Sequence, residues 1–156
     1  MMSPDTAVRG VARIVIERPA ADVFAAISDV TRMGEWSPEC VAGRWVPPAT
    51  GPAVDAVFEG DNVAAVGPVT LKKWTTSSKV TACEPGSVFE FVAEGYTTWR
   101  YELTENDGST SVSESFSFAP YEGWQRFAYS TLMRRERSMV KGMEKTLARM
   151  KGSLET

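Results

Sequence analysis

The stretch "IERPAADVFAAISDVTRMGEWSPEC", Ile16 to Cys40, decides the fold. A segment rich in Val and Ile, Val11 to Arg18, leads into it and reads as a strand covered in part on both sides. Pro19 ends that strand, because it has no N–H to give to a sheet ladder. The same proline suits a first helical position, and Val23, Phe24 and Ile27 follow at helical spacing, so a helix is expected from Pro19 onward. Asp29 and Thr31 predict a break and a second short helix that ends between Gly34 and Pro38.

Outward from this entry the pattern changes to short strands between turn residues. Val41 to Val46 precedes the turn signal PPATGP, and Val54 to Glu59 follows it. A longer run from Val69 to Ala82 stops at CEPGS. Val88 to Ala93, Tyr96 to Thr104, the turn ENDGS and Thr110 to Ala119 come next. Six strands at hairpin spacing after the first predict an antiparallel meander. Two stretches read as loops at the entrance of the fold: "GDNVAAVGP", Gly60 to Pro68, and "PYEGW", Pro120 to Trp124. An apolar loop tip is either tucked over the core or serves as a lid. The final stretch, from Trp124 to Met150, has no proline and sets Ala128, Leu132, Met139, Met143 and Met150 on one stripe, with Leu147 at its edge. It predicts a helix long enough to cross the whole sheet.

Composition limits the functions open to the chain. Its 156 residues predict one domain, 1–156, with 43% hydrophobic and 24% charged residues, as in soluble globular proteins. No apolar run approaches the roughly 20 residues needed to span a bilayer, and MMSPDTAVRG lacks the pattern of a secretory leader, so a cytoplasmic location without stable membrane insertion is expected. A net charge of −3 argues against a nucleic-acid partner, and RRER, Arg134 to Arg137, reads as a solvated helix face. There is no histidine, which removes the usual general base, the commonest metal ligand and every Ser-His or Cys-His pair. Cys40 and Cys83 stand in no metal-ligand spacing and read as buried apolar side chains at opposite ends of the sheet, without a disulfide. No metal and no cofactor are expected.

The order of elements, with "GRW" at Gly43 to Trp45, "CEPGSVFEF" at Cys83 to Phe91, "WRYELTENDGSTSVSESF" at Trp99 to Phe116 and "GMEKTLARMK" at Gly142 to Lys151, resembles the SRPBCC or START-like superfamily. It is most similar to the bacterial polyketide cyclase/dehydrase-type members. The resemblance covers nearly the whole chain. It implies an α+β helix-grip fold, in which a curved antiparallel seven-stranded sheet wraps around a long C-terminal helix, with two short helices after the first strand. It further implies a cavity between sheet and helix for an apolar ligand. Members include lipid carriers, hormone receptors, aromatase/cyclases and ring-hydroxylase subunits, so the fold leaves function open.

Period-two alternation proposes the inner face strand by strand. Val41, Gly43 and Trp45 form one set, Val54, Ala56 and Phe58 the next, then Trp74, Thr76, Ser78 and Val80. Phe89 and Phe91 follow, then Trp99, Tyr101 and Leu103, then Val112, Glu114, Phe116 and Phe118. Any one of these aromatics suits an ordinary filled core, but five tryptophans, Trp36, Trp45, Trp74, Trp99 and Trp124, suit the aromatic lining of a pocket. Glu114 is the sharpest residue, since a carboxylate among inward Val and Phe is costly unless paired or protonated. It reads as a catalytic acid or base in a dry cavity, as a structural group bonded to Arg, Trp or Tyr, or as a residue that a register slip leaves in water. Arg135 lies near the helix stripe, placed either to meet Glu114 or a ligand carboxylate, or to stay solvated.

The expected function is therefore binding of a small hydrophobic or aromatic ligand, lipid or polyketide-like. The lining set is Trp36, Trp45, Phe58, Trp74, Phe89, Trp99, Tyr101, Glu114, Phe116, Tyr129, Leu132, Arg135 and Met139. The alternative is a polyketide aromatase/cyclase that uses Glu114 and other polar groups of the cavity. A third reading is an interaction module with an exposed apolar patch, and a homodimer is left open.

Overall fold

The computed structural model describes residues 7–119 and 129–156, with side chains described from residue 134 in the last segment. Strand β1 (Val8–Ile16) is followed by helix α1 (Ala20–Ser28), a 3-10 turn (Val30–Arg32) and helix α2 (Met33–Trp36). Strands β2 (Cys40–Trp45), β3 (Val57–Val66), β4 (Val69–Glu84), β5 (Val88–Ala93), β6 (Thr97–Asn106) and β7 (Ser109–Phe118) lead to helix α3 (Tyr129–Leu154). The seven strands form one sheet in the order β1-β7-β6-β5-β4-β3-β2, every pair antiparallel. This is the helix-grip arrangement, an α+β fold.

Local chemistry explains the boundaries. Pro19 is extended and caps α1 rather than standing inside it. Asp29 breaks the helix and its carboxylate accepts from Thr31 N at 3.1 Å, which starts the 3-10 turn. The β6–β7 hairpin closes through Asp107 and Gly108, both at positive φ, between the paired Asn106 and Ser109. That backbone suits the right-handed twist of the flanking strands, and glycine enters it without steric cost.

Four expectations are corrected. Gly60 to Pro68 is not a loop: residues through Val66 belong to β3, and only Gly67 and Pro68 turn the chain into β4. Alternation carries on through a stretch whose Gly, Asn and Ala residues have low strand propensity, and pairing with β4 overrides that propensity. Val54 lies outside the strand and is exposed. Val41 points to solvent, because a bulge between Cys40 and Ala42 adds one residue to β2 and turns Cys40 inward instead. Val11 and Val15 are also exposed, so β1 is covered on one face.

Further bulges lie between Ala64 and Ala65 and between Val80 and Ala82. All three sit in the β2–β5 half of the sheet, where each adds local twist and bends the strands. One hydrophobic core runs under the sheet, with Phe58, Val80, Phe89 and Phe91 from this half among its members. Met143, Leu147 and Met150 of α3 are buried with Ile16, Val23, Val30 and Val112. Gly10 lets α3 come close to β1: an added Cβ would stand 2.5 Å from Phe116 Cε1 and 2.8 Å from Val140 Cγ2. Both cysteines are free thiols, Cys40 at the start of β2 and Cys83 near the far end of β4. Ala128 and the segment Pro120 to Trp124 lie outside the described residues.

Candidate functional site

A cavity of about 300 Å³ lies between the curved half of the sheet and the forward part of α3. The inner faces of β3 to β7 reach it, joined by Cys40 at the start of β2. Phe58, Gly60 and Asn62 come from β3, Trp74, Thr76 and Ser78 from β4, Phe89 and Phe91 from β5, Trp99 and Tyr101 from β6, and Glu114 from β7. Ile27, Val30, Met33 and Trp36 line it from the helical entry, and Arg135, Met139 and Thr146 from α3. Tyr96, exposed and packed against Phe118 with ring centroids 5.4 Å apart, stands with Glu94 at the rim.

The sheet register brings Glu114 and Tyr101 together. They face each other directly on β7 and β6, and the Tyr101 hydroxyl donates to Glu114 Oε1 at 2.7 Å. Glu114 is 4% exposed, and its Oε2 is buried without a hydrogen-bond partner among the described residues. Burial pushes the Glu114 carboxyl up from 4.5 to about 8, against the opposing pull of the Tyr101 hydrogen bond. Burial also raises the Tyr101 phenol well above its ordinary value, helped by the adjacent carboxyl charge. At neutral pH the pair is therefore a phenol donating to an uncharged acid. With Oε1 engaged as acceptor, the acid proton belongs on Oε2, where it can be donated to a carbonyl or hydroxyl oxygen.

A second polar group faces the cavity from β3 and β4. Asn62 Nδ2 donates to Gly60 O at 3.1 Å and to Thr76 Oγ1 at 3.2 Å. Its amide nitrogen is thus committed to the protein, and Oδ1 is the atom of the side chain that could accept a further hydrogen bond. Ser78, 4% exposed, lies beside this group on the same face of β4. Cys40 also lines the cavity, and burial raises its thiol above the ordinary value, which keeps it protonated and poorly nucleophilic.

Of the residues singled out in the sequence, Trp36, Phe58, Trp74, Phe89, Trp99, Tyr101, Glu114, Arg135 and Met139 surround the cavity. Trp45 and Phe116 face the core instead. Trp45 packs edge-on against Phe58 with centroids 5.6 Å apart, and Phe116 stacks on Phe118 beneath Val140. The side chains of Tyr129 and Leu132 lie outside the described residues, as does Trp124. Arg135 is exposed at the rim and makes no bond to Glu114 Oε2. Asn62 and Gly60 were missed, although the parity set by Phe58 runs straight through both. Among the described residues no cluster of His, Cys, Asp or Glu could hold a metal, and no helix is long and apolar enough to cross a membrane.

Comparison with known proteins places this architecture. The family model described as "Polyketide cyclase / dehydrase and lipid transport" matches residues 7–155. The solution structure of the Polyketide_cyc-like protein Cgl2372 from Corynebacterium glutamicum is similar at 30% identity over 96% of this chain and 92% of that one, with a TM-score of 0.66. The di-domain ARO/CYC StfQ from the steffimycin biosynthetic pathway shares the fold at 12% identity and a TM-score of 0.71; the match covers 95% of this chain and 50% of StfQ. DynU16, a protein from the dynemicin biosynthetic locus, does so at 16% identity and a TM-score of 0.62, over 98% of this chain and 48% of that one. No curated protein sequence matches significantly. With the fold and nearly its whole length matched, the chain belongs to the polyketide cyclase/dehydrase and lipid transport family.

Proposed function

We propose that the chain, acting as a single domain, binds a small, ring-bearing apolar molecule in the cavity beneath α3, with Glu114 as the neutral acid that orients it. The observation that carries this reading is Glu114 Oε2, a buried polar atom on the cavity wall with no hydrogen-bond partner among the described residues. A buried donor left without an acceptor costs about 1–3 kcal/mol, and a ligand carbonyl or hydroxyl would remove that cost. Phe58, Phe89, Phe91 and Trp99 supply apolar walls, worth about 25 cal/mol per Å² of ligand surface buried. Asn62 Oδ1, on the β3–β4 side, favours a donor on the other part of the ligand.

Trp36, Trp74 and Trp99 all line the cavity, so tryptophan emission reports on occupancy. Titration with a panel of aromatic ketones, phenols and the parent hydrocarbons is expected to quench emission at lower concentration for the oxygenated members. A flat response across the panel would overturn the proposal.

The same buried acid favours a second reading, a polyketide aromatase/cyclase in which Glu114 protonates a carbonyl oxygen as a carbon nucleophile attacks the carbonyl carbon. Glu114→Gln keeps a donor at the site but has no titratable proton. A cyclase would lose turnover and keep affinity, whereas a carrier would show no turnover to lose.

A further inference from the structure

The β3–β4 ribbon runs on past its neighbours. Pairing with β2 stops at Cys40 and Asn62, and pairing with β5 stops at Ser78 and Ala93. The two strands nevertheless stay paired with each other through Val63–Lys73 and Ala64–Lys72 to Val66–Val69. Beyond Asn62 no described strand flanks the ribbon, which overhangs by roughly 13 Å at about 3.3 Å per residue.

The overhang has an ordered composition. Val66, Val69 and Leu71 at its end are 67%, 57% and 66% exposed. Lys72 and Lys73 come next, then the partly exposed Trp74, with the Lys72 ammonium 5.2 Å from its ring centroid. From Asn62 to Cys83 the chain carries three lysines and no Asp or Glu, in a protein of net charge −3. An apolar tip followed by cations matches the order met on leaving a bilayer, acyl chains and then phosphates, and tryptophan is favoured at the same headgroup level. The lysines also oppose the other obvious use of a bare two-stranded edge, pairing with a second copy.

We propose that the tip of the β3–β4 ribbon docks on an anionic lipid surface, with Val66, Val69 and Leu71 entering the acyl boundary and Lys72 and Lys73 meeting phosphates. Asn62 and Trp74 line the cavity at the root of the ribbon, so docking brings the cavity's β3–β4 side against the lipid. This inference is independent of what the cavity holds.

The test is sedimentation of the full chain with vesicles of phosphatidylcholine alone or mixed with phosphatidylglycerol. The wild type should pellet with the anionic vesicles, less so as salt is raised, and far less with phosphatidylcholine alone. Replacing both Lys72 and Lys73 by alanine should weaken binding about thirtyfold, from the contribution of a lysine near an anionic surface. Leu71→Asp and Val66→Asp should abolish it. Val15→Asp, at another exposed apolar position, should leave it unchanged. These positions are exposed, and circular dichroism is the check that each variant is folded. Failure to pellet, equal pelleting with both vesicles, or insensitivity to the tip variants would each overturn the proposal. So would self-association that the tip variants abolish, which would assign the ribbon to a second copy.

Discussion

The phenol of Tyr101 donates to Glu114 Oε1 at 2.7 Å across paired positions of β6 and β7, and the other carboxyl oxygen has no hydrogen-bond partner among the described residues. One oxygen fixes the acid to the sheet, and under the proposed function the other is the atom that meets a ligand. A fully satisfied carboxyl would only brace the strands, while a carboxyl without the phenol would have two unmade bonds in a dry site.

Stability should carry the imprint of this carboxyl. Its folded value, about 8, lies above the ordinary 4.5, so the folded chain keeps a proton that the unfolded chain has lost between those values. The contribution is full below the lower value, falls by up to about 1.4 kcal/mol per pH unit as pH rises, and levels off above the upper one. Urea midpoints from about pH 5 to about pH 9 should therefore fall more steeply for the wild type than for Glu114→Gln. Equal slopes would mean that water reaches the carboxyl.

Tyr101→Phe removes the one hydrogen bond that favours the charged acid, so the Glu114 value should rise further. It also leaves both carboxyl oxygens without a partner among the described residues, at a cost of about 1–3 kcal/mol. Denaturation at neutral pH measures the loss. Moreover, the pH-dependent decline should extend to higher pH than in the wild type, a signature that mere loss of packing would not produce.

Ser78→Leu tests the cavity by filling it. The side chain is buried on the cavity wall, and the larger residue should occupy space that a ligand needs. Thermal unfolding should show little loss, because the added methyl groups enter open volume instead of a packed core. Fluorescence quenching by the oxygenated aromatics should weaken at least tenfold, or about 1.4 kcal/mol. Unchanged quenching would place the guest elsewhere.

Much of the fold was legible because its signals are local. Pro19, the Asp29 break and the ENDGS turn each act within a few residues, and the methionine stripe of α3 repeats over several turns. The parity of β4 through β7 also carried the site, since Trp74, Thr76, Ser78, Phe89, Phe91, Trp99, Tyr101 and Glu114 all fall where alternation puts them. What could not be read depends on distant partners. The Cys40–Ala42 bulge exists only against β3, and it reverses the side on which Val41 emerges. Phe116 obeys its parity yet misses the cavity, because Gly10 on β1 opens room for it under Val140. The extension of β3 past Gly60 is made by pairing with β4, from Asp61 with Thr75 to Val66 with Val69, against the low strand propensity of Gly, Asn and Ala.

Two glycines allow close approach at opposite ends of the fold, and they should respond differently to alanine. A Cβ on Gly43 would collide with the Val30 carbonyl oxygen, a backbone atom that cannot rotate away. The 3-10 turn itself would have to lift from β2, at the upper end of the roughly 1–3 kcal/mol typical of overpacking. Val30 and Met33, both on the cavity wall, would move with it. On Gly10 the nearest atoms are the ends of the Phe116 and Val140 side chains, which can shift, so the cost should be nearer about 1 kcal/mol. Phe116 is not on the cavity wall, so ligand quenching should survive Gly10→Ala and fall sharply in Gly43→Ala. Equal losses of binding would instead mean that the cavity depends on the whole sheet–helix contact, with no special role for the Val30–Gly43 approach.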